Sequence, residues 1–130
     1  MSKETSKLPL AADSLNPTHS NKPTDCVGVI CLRGSDVLLI KRGKAPRKGE
    51  WSIPGGRIEA GETEQDAALR ELFEETGVRA KLGPKIAVID AHFEEFYYRL
   101  HDYAAIWQSG ESKAGDDAAD AKFTHIDTIS

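Results

Sequence analysis

The chain has 130 residues and a mass of 14.2 kDa, with 39% hydrophobic and 29% charged residues, which suits one compact domain with a modest core and leaves no room for two. Seventeen Lys and Arg against 21 Asp and Glu give a formal charge of -4 and a pI near 5.6, so binding of a nucleic-acid polymer by bulk charge is excluded and any phosphate recognition must be local. No apolar run approaches the roughly 20 residues of a membrane helix; one such run, Val37 to Ile40, reads as a short buried strand.

From Met1 to about Thr24 the chain is rich in Ser, Thr, Asn and Pro and follows neither the strand nor the helix period, so residues 1–24 are expected to form a flexible leader and residues 25–130 the folded domain. The leader lacks the apolar stretch of a secretory signal and the arginines of a transit peptide, which makes a cytoplasmic location the expectation. Cys26 and Cys31 stand five apart in an apolar segment, so alternation sends them to opposite faces of a strand and keeps them from pairing. Two such thiols fit a reducing compartment.

Cys26 to Leu32 and Val37 to Lys41 read as a hairpin closed by Arg33-Gly34-Ser35-Asp36. A basic cluster follows, Lys41, Arg42, Lys44, Arg47 and Lys48, broken by Gly43 and Pro46 into a cationic loop. After a glycine-rich stretch, apolar residues recur at Ala68, Leu69, Leu72 and Phe73 with helical spacing. Thr63 is placed as the N-cap, with acidic residues in the first turn, and Gly77 as a left-handed C-terminal cap. Beyond the helix, Lys85 to His92 and Phe96 to Trp107 read as strands joined at Glu94-Glu95, and Ala121 to Ile126 as a last strand after the loop 109–120. Strands on both sides of one helix indicate an α/β or α+β domain. The aromatics Phe96, Tyr97, Tyr98 and Tyr103, with Trp51, can stack on a base, but alternation along a strand places them first in the core.

Glu71, Glu74 and Glu75 lie three and four residues apart, so their carboxylates project within about 100° of one another on the helix. Like charges at that spacing destabilise a helix by roughly 0.2–0.5 kcal/mol per pair, and in the last turn they also oppose its dipole. Arg70 offsets part of this by pairing with Glu74. A divalent cation on the acidic face offsets more, and oxygen-only ligands favour Mg²⁺ or Mn²⁺ over Zn²⁺. Alone, such a cluster is most simply a solvated helix face. The segment Trp51 to Thr63 feeding into it changes that reading, because its glycines let the backbone approach a ligand closely and Glu62 adds a carboxylate able to hold Arg70.

Residues 56–78 resemble the signature box of the Nudix (MutT-like) hydrolases, Gly-x5-Glu-x7-Arg-Glu-U-x-Glu-Glu-x-Gly-U, with U bulky and aliphatic. Gly56, Glu62, Arg70, Glu71, Leu72, Glu74, Glu75, Gly77 and Val78 all fall in register, and at about 7% usage per residue type the seven fixed identities arise by chance with a probability on the order of 10⁻⁸ per start. The flanking Gly49, Trp51, Pro54 and Gly55 are similar to what commonly precedes the box. The resemblance implies the family's fold, a mixed β-sheet sandwiched between helices. It also implies an enzyme that hydrolyses a nucleoside diphosphate linked to another moiety, by attack of water on phosphorus with Mg²⁺ (or Mn²⁺) as cofactor.

By position, the resemblance makes Glu71, Glu74 and Glu75 metal ligands together with the Gly55 carbonyl, while Arg70 and Glu62 orient them. Glu75, Glu94, Glu95, Asp116 and Asp117 are the candidates for the base. Arg47, Lys48, Trp51 and Arg57 are candidate substrate contacts, the first two for phosphates. ADP-ribose hydrolases of the family often carry a proline about fifteen residues past the box, where this chain has Phe93; dinucleoside-polyphosphate hydrolases carry a tyrosine slightly later, near Tyr97 here. The box and its flanks are most similar to small bacterial ADP-ribose pyrophosphatase-like members. The alternatives are a (d)NTP pyrophosphatase of the house-cleaning type and a nucleotide-binding module without turnover. Relatives usually continue past the last strand into a further helix, whereas this chain stops at Ser130, so truncation there, or a homodimer covering the open sheet face, is the expectation.

Overall fold

A computed structural model describes residues 22–115 and 117–129, with Phe93 described for its backbone alone. The expected leader therefore falls outside the described residues except for its last three, and Thr24 already opens the first strand. The elements are β1 (Thr24–Arg33), β2 (Asp36–Arg42), β3 (Trp51–Ser52), β4 (Gly55–Arg57), α1 (Glu64–Thr76), β5 (Arg79–Phe93), β6 (Phe96–Ser109), β7 (Ala118–His125) and a closing 3-10 turn at Ile126–Thr128. All strands join one mixed sheet: β3, β2, β1, β6 and β5 lie in that order, β4 also pairs with β1, and β7 pairs with β2.

Alternation along β1 sends Val27, Val29 and Cys31 against Ala67, Ala68 and Leu72 of α1, and Leu38 and Ala105 of neighbouring strands complete this core. Two adjacent alanines on the buried helical face let α1 approach the sheet closely. Thr63 Oγ1 accepts from the Asp66 amide at 3.0 Å, and Gly77 takes φ 74° and donates its N–H to the Phe73 carbonyl, so both expected caps are formed.

β1 and β2 leave the Gly34-Ser35 turn as an antiparallel pair, but only Leu32↔Val37 and Arg33↔Asp36 remain in register. The strands then separate and β4 enters beside β1, with Cys26↔Arg57, Val27↔Gly56 and Gly28↔Gly55 paired. A Cβ on Gly55 would collide with the Val27 carbonyl, and one on Gly56 with the Glu71 carboxylate. The glycines are required by this close approach. On its other side β1 runs parallel to β6, from Thr24↔Tyr98 to Leu32↔Ile106.

Three details differ from expectation. β5 starts at Arg79 rather than Lys85, because register shifts on either side of Lys85 carry the strand past Gly83-Pro84. The stretches Trp51–Ser52 and Gly55–Arg57, expected as glycine-rich connection, are short strands. Of the helices expected to sandwich the sheet, α1 on one face is the single α-helix among the described residues; Ile89 and Ile106 are about half exposed. Both cysteines are buried and free, and burial pushes each thiol up to about 11, which makes them poor nucleophiles. Among the described residues no helix is long and apolar enough to cross a membrane.

Candidate active site

A cleft of about 760 Å³ opens where β1 and β2 diverge. One wall is the Gly55-Gly56 strand with Glu71 and Glu75 of α1, a second is the loop after β2, and the third is the face of β6 bearing Phe96, Tyr98, Leu100 and Asp102. The split in the hairpin thus makes the cavity, and the inserted glycine strand brings backbone polar groups to the acidic end of the helix.

Arg70 organises the acidic face. Its Nε and Nη2 donate to Glu62 Oε2 and Oε1 at 2.6 and 2.9 Å, a bidentate pair, while Nη1 reaches Glu71 Oε2 at 3.1 Å and Glu74 Oε1 at 3.0 Å. Nη2 also donates to the Arg57 carbonyl at 3.0 Å, which ties the glycine strand to the helix. Glu62 accepts from the Glu59 amide at 2.9 Å as well; the Arg70 hydrogen bond, then that amide, hold its carboxyl below the ordinary range.

The other carboxylates shift the opposite way. Burial raises Glu71, with Arg70 opposing, and burial pushes Glu75 up to about 8 although Oε1 accepts from the Gly55 N–H at 2.8 Å. In both carboxyls burial outweighs the hydrogen bonds they accept. The donors are all oxygen, which fits a hard divalent cation. Among the described residues no three acidic side chains yet converge on one point, and Arg70 Nη1 sits between Glu71 and Glu74. Glu71, Glu74 and Glu75 with the Gly55 carbonyl are the groups that would hold the ion.

Of the basic candidates, Arg47 and Arg57 line the cleft and Lys48 does not. Arg47 is tied to Glu50, its Nε and Nη2 both 2.6 Å from Oε1, and its backbone N–H donates to Glu94 Oε2 at 3.2 Å. Trp51 also lines the cleft, 39% exposed, with Lys122 Nζ 4.7 Å above its ring. Among the base candidates Glu75 and Asp117 line the cleft, Asp117 paired with Lys44 at 2.8 Å; Glu94 and Glu95 sit at the β5–β6 turn and do not line it, Glu94 holding the Arg47 backbone at its rim, and Asp116 lies outside the described residues.

The placement of the aromatics in the core needs correction. Tyr103 alone is buried, its hydroxyl donating to Glu64 Oε1 at 2.7 Å, and Tyr97 stacks on His92 at 4.1 Å. Phe96 and Tyr98 line the cleft, because the parallel pairing of β6 with β1 turns that face toward the gap in the sheet. Arg42 and Asp102 line it too and were not singled out as contacts. The two-residue spacing of 96, 98, 100 and 102 puts Asp102 on the same face as Phe96 and Tyr98 but does not say that the face looks onto a cavity.

Comparison with known proteins assigns the chain. The family model of the NUDIX domain matches residues 22–129. The chain belongs to the Nudix family. Within it, the chain is 35% identical over 109 residues to an ADP-ribose pyrophosphatase of Methanocaldococcus jannaschii, an alignment covering 82% of this chain and 64% of that relative. A crystal structure of a Nudix hydrolase from Nitrosomonas europaea superposes with a TM-score of 0.75 at 27% identity, covering 85% of this chain and 62% of the other. A bifunctional NMN adenylyltransferase/ADP ribose pyrophosphatase from Francisella tularensis, complexed with AMP and a Mn ion, matches with a TM-score of 0.67 at 25% identity over 83% of this chain and 36% of that one. The chain thus spans less than two-thirds of the length of each of these proteins.

Proposed function

We propose that the chain is a Mg²⁺-dependent pyrophosphohydrolase that cleaves ADP-ribose or a similar nucleoside diphosphate derivative. The observation that carries this reading is the set Glu71, Glu74 and Glu75 on one helical face, the first two bound by Arg70 and the third by the Gly55 N–H, beside a cleft of nucleotide size that Glu71, Glu75 and the Gly55-Gly56 strand line. The adenosine diphosphate substrate is supported by the 35% identity to an ADP-ribose pyrophosphatase, and the divalent ion by the Mn ion of the Francisella protein.

In this reading a water oxygen forms a bond to one phosphorus, the bridging P–O bond breaks, and ADP-ribose yields AMP and ribose 5-phosphate. A divalent ion held by the acidic face supplies charge neutralisation of the diphosphate oxygens and a more acidic water. Glu62 fixes the Arg70 guanidinium, and Arg70 in turn fixes Glu71 and Glu74. Glu75, hydrogen-bonded to Gly55 and desolvated, is the carboxyl placed to accept the proton of the attacking water; Asp117 is the second candidate in the cleft. Arg47 and Arg57 supply positive charge to the substrate phosphates.

The test is turnover of ADP-ribose, NTPs and dinucleoside polyphosphates with and without Mg²⁺, products separated by chromatography, with Glu74→Gln beside the wild type. Metal-dependent release of AMP that the substitution suppresses is the expected result. Turnover indifferent to both metal and substitution refutes the reading.

A further inference from the structure

We propose that Asp102 reads the nucleobase, its carboxyl accepting a hydrogen bond from the exocyclic amino group of a purine held in the cleft; the proposal rests on the pyrophosphohydrolase reading above and names the part of the substrate that reading leaves unspecified. Residues two apart on a strand share a face, so Phe96, Tyr98, Leu100 and Asp102 form one row along β6, and all four line the cleft. Three of the row are apolar or aromatic, the surface on which a flat base lies. The fourth is a carboxyl.

Asp102 is 9% exposed, and among the described residues its side chain receives no hydrogen bond or ion pair. Its oxygens open onto the cleft rather than being shut off from water, and desolvation raises the carboxyl above its ordinary range, so a ligand lying in the cleft can meet it directly. Its neighbour across the parallel ladder is Gly28. A Cβ there would run into Asp102 Oδ1 and come within 2.8 Å of Ile53 Cδ1. The side chain that would crowd the carboxyl is thereby missing from β1, and Asp102 keeps its place facing the cavity. None of the groups assigned to the diphosphate and the cation calls on it.

The chemistry selects the ligand group. A carboxylate offers acceptors only, and base edges are told apart by donor and acceptor pattern, with Asp and Glu accepting from amino groups. A 6-amino purine presents N–H donors to Asp102. A 6-oxo purine in the same pose presents a carbonyl oxygen, lone pair against lone pair.

The test is calorimetric titration of the wild type, Asp102→Asn and Asp102→Leu with AMP and with IMP, alongside ADP-ribose turnover with Mg²⁺. A preference for AMP of about tenfold or more is expected in the wild type, narrowed in Asp102→Asn, whose amide can turn to donate to the 6-oxo group, and lost in Asp102→Leu with ribose 5-phosphate binding unchanged. Equal or undetectable binding of the two nucleotides by the wild type overturns the assignment, and so does an unaltered preference in Asp102→Leu. If the wild type selects AMP but hydrolyses no nucleoside diphosphate, the hydrolase reading fails while Asp102 keeps its role.

Discussion

Two walls of the same cleft are built on opposite principles. The α1 wall concentrates charge, with Glu71 and Glu74 held by a single guanidinium that also grips Glu62 and the Arg57 carbonyl, and Glu75 held by the Gly55 N–H. The β6 wall is an apolar row, Phe96, Tyr98 and Leu100, ended by one buried carboxyl. The first is suited to stabilising charge that develops during a reaction and the second to holding a flat uncharged group, so damage to the two should appear in different kinetic parameters.

The largest effect is expected at Glu75. Gln keeps the size of the side chain and an oxygen for the Gly55 N–H but removes an ionisable carboxyl whose charged form burial disfavours, so kcat for ADP-ribose should fall by about 100-fold or more while the thermal midpoint stays level or rises. A fall in stability parallel to the lost turnover would make Glu75 a structural group. Arg70→Gln should break the charged wall as a structure. It leaves Glu71, which is largely shielded from water, beside Glu74 with no cation, and about 2 kcal/mol of unfolding free energy should be lost in urea. On the opposite wall, Tyr98→Ala should raise KM for ADP-ribose about tenfold through lost stacking, with kcat nearly unchanged; a kcat effect instead would erase the distinction between the walls.

Two smaller effects sharpen the description of the framework beneath them. Thr63→Ala removes the acceptor for the Asp66 amide and should cost about 1 kcal/mol in the same urea assay. Glu64, which accepts from Lys85 and Tyr103, is held below its ordinary value of 4.5, chiefly by the Lys85 contact. A carboxyl lowered in the folded state contributes stability that is complete above its unfolded value and is lost as pH falls through the folded one. The urea midpoint should therefore decline below about pH 4.5, and Glu64→Gln should make that decline shallower.

What the sequence discloses follows the same division. α1 is legible from Thr63 to Gly77 because caps, period and charge are local features, and its acidic face is legible because Glu71, Glu74 and Glu75 meet on one short helix. The β1–β2 turn is legible in Gly34 for the same reason. The β6 wall is not. Whether Phe96 and Tyr98 face a core or a cavity depends on which strand pairs with β6 and on how far β1 and β2 diverge, and neither is written within a few residues of them. The strands at Trp51–Ser52 and Gly55–Arg57 escape detection because they exist only through pairing with β2 and β1. β5 looks shorter than it is because Gly83-Pro84 reads as a terminus, and only the paired strand reveals the bulge. Lys48 and Arg47 are neighbours in a basic run, yet only Arg47 lines the cleft.

The parallel ladder between β1 and β6 joins nearly the first described residues to some of the last, with the glycine strand and α1 enclosed between them. On a ribosome, α1 can coil as soon as it emerges, but the β6 wall cannot form until β6 itself, about 20 residues further on, has been made and returns to β1. Synthesis would therefore deliver the acidic segment well before the pocket that gives it a substrate, and closure of that long loop is the step expected to set the pace of maturation.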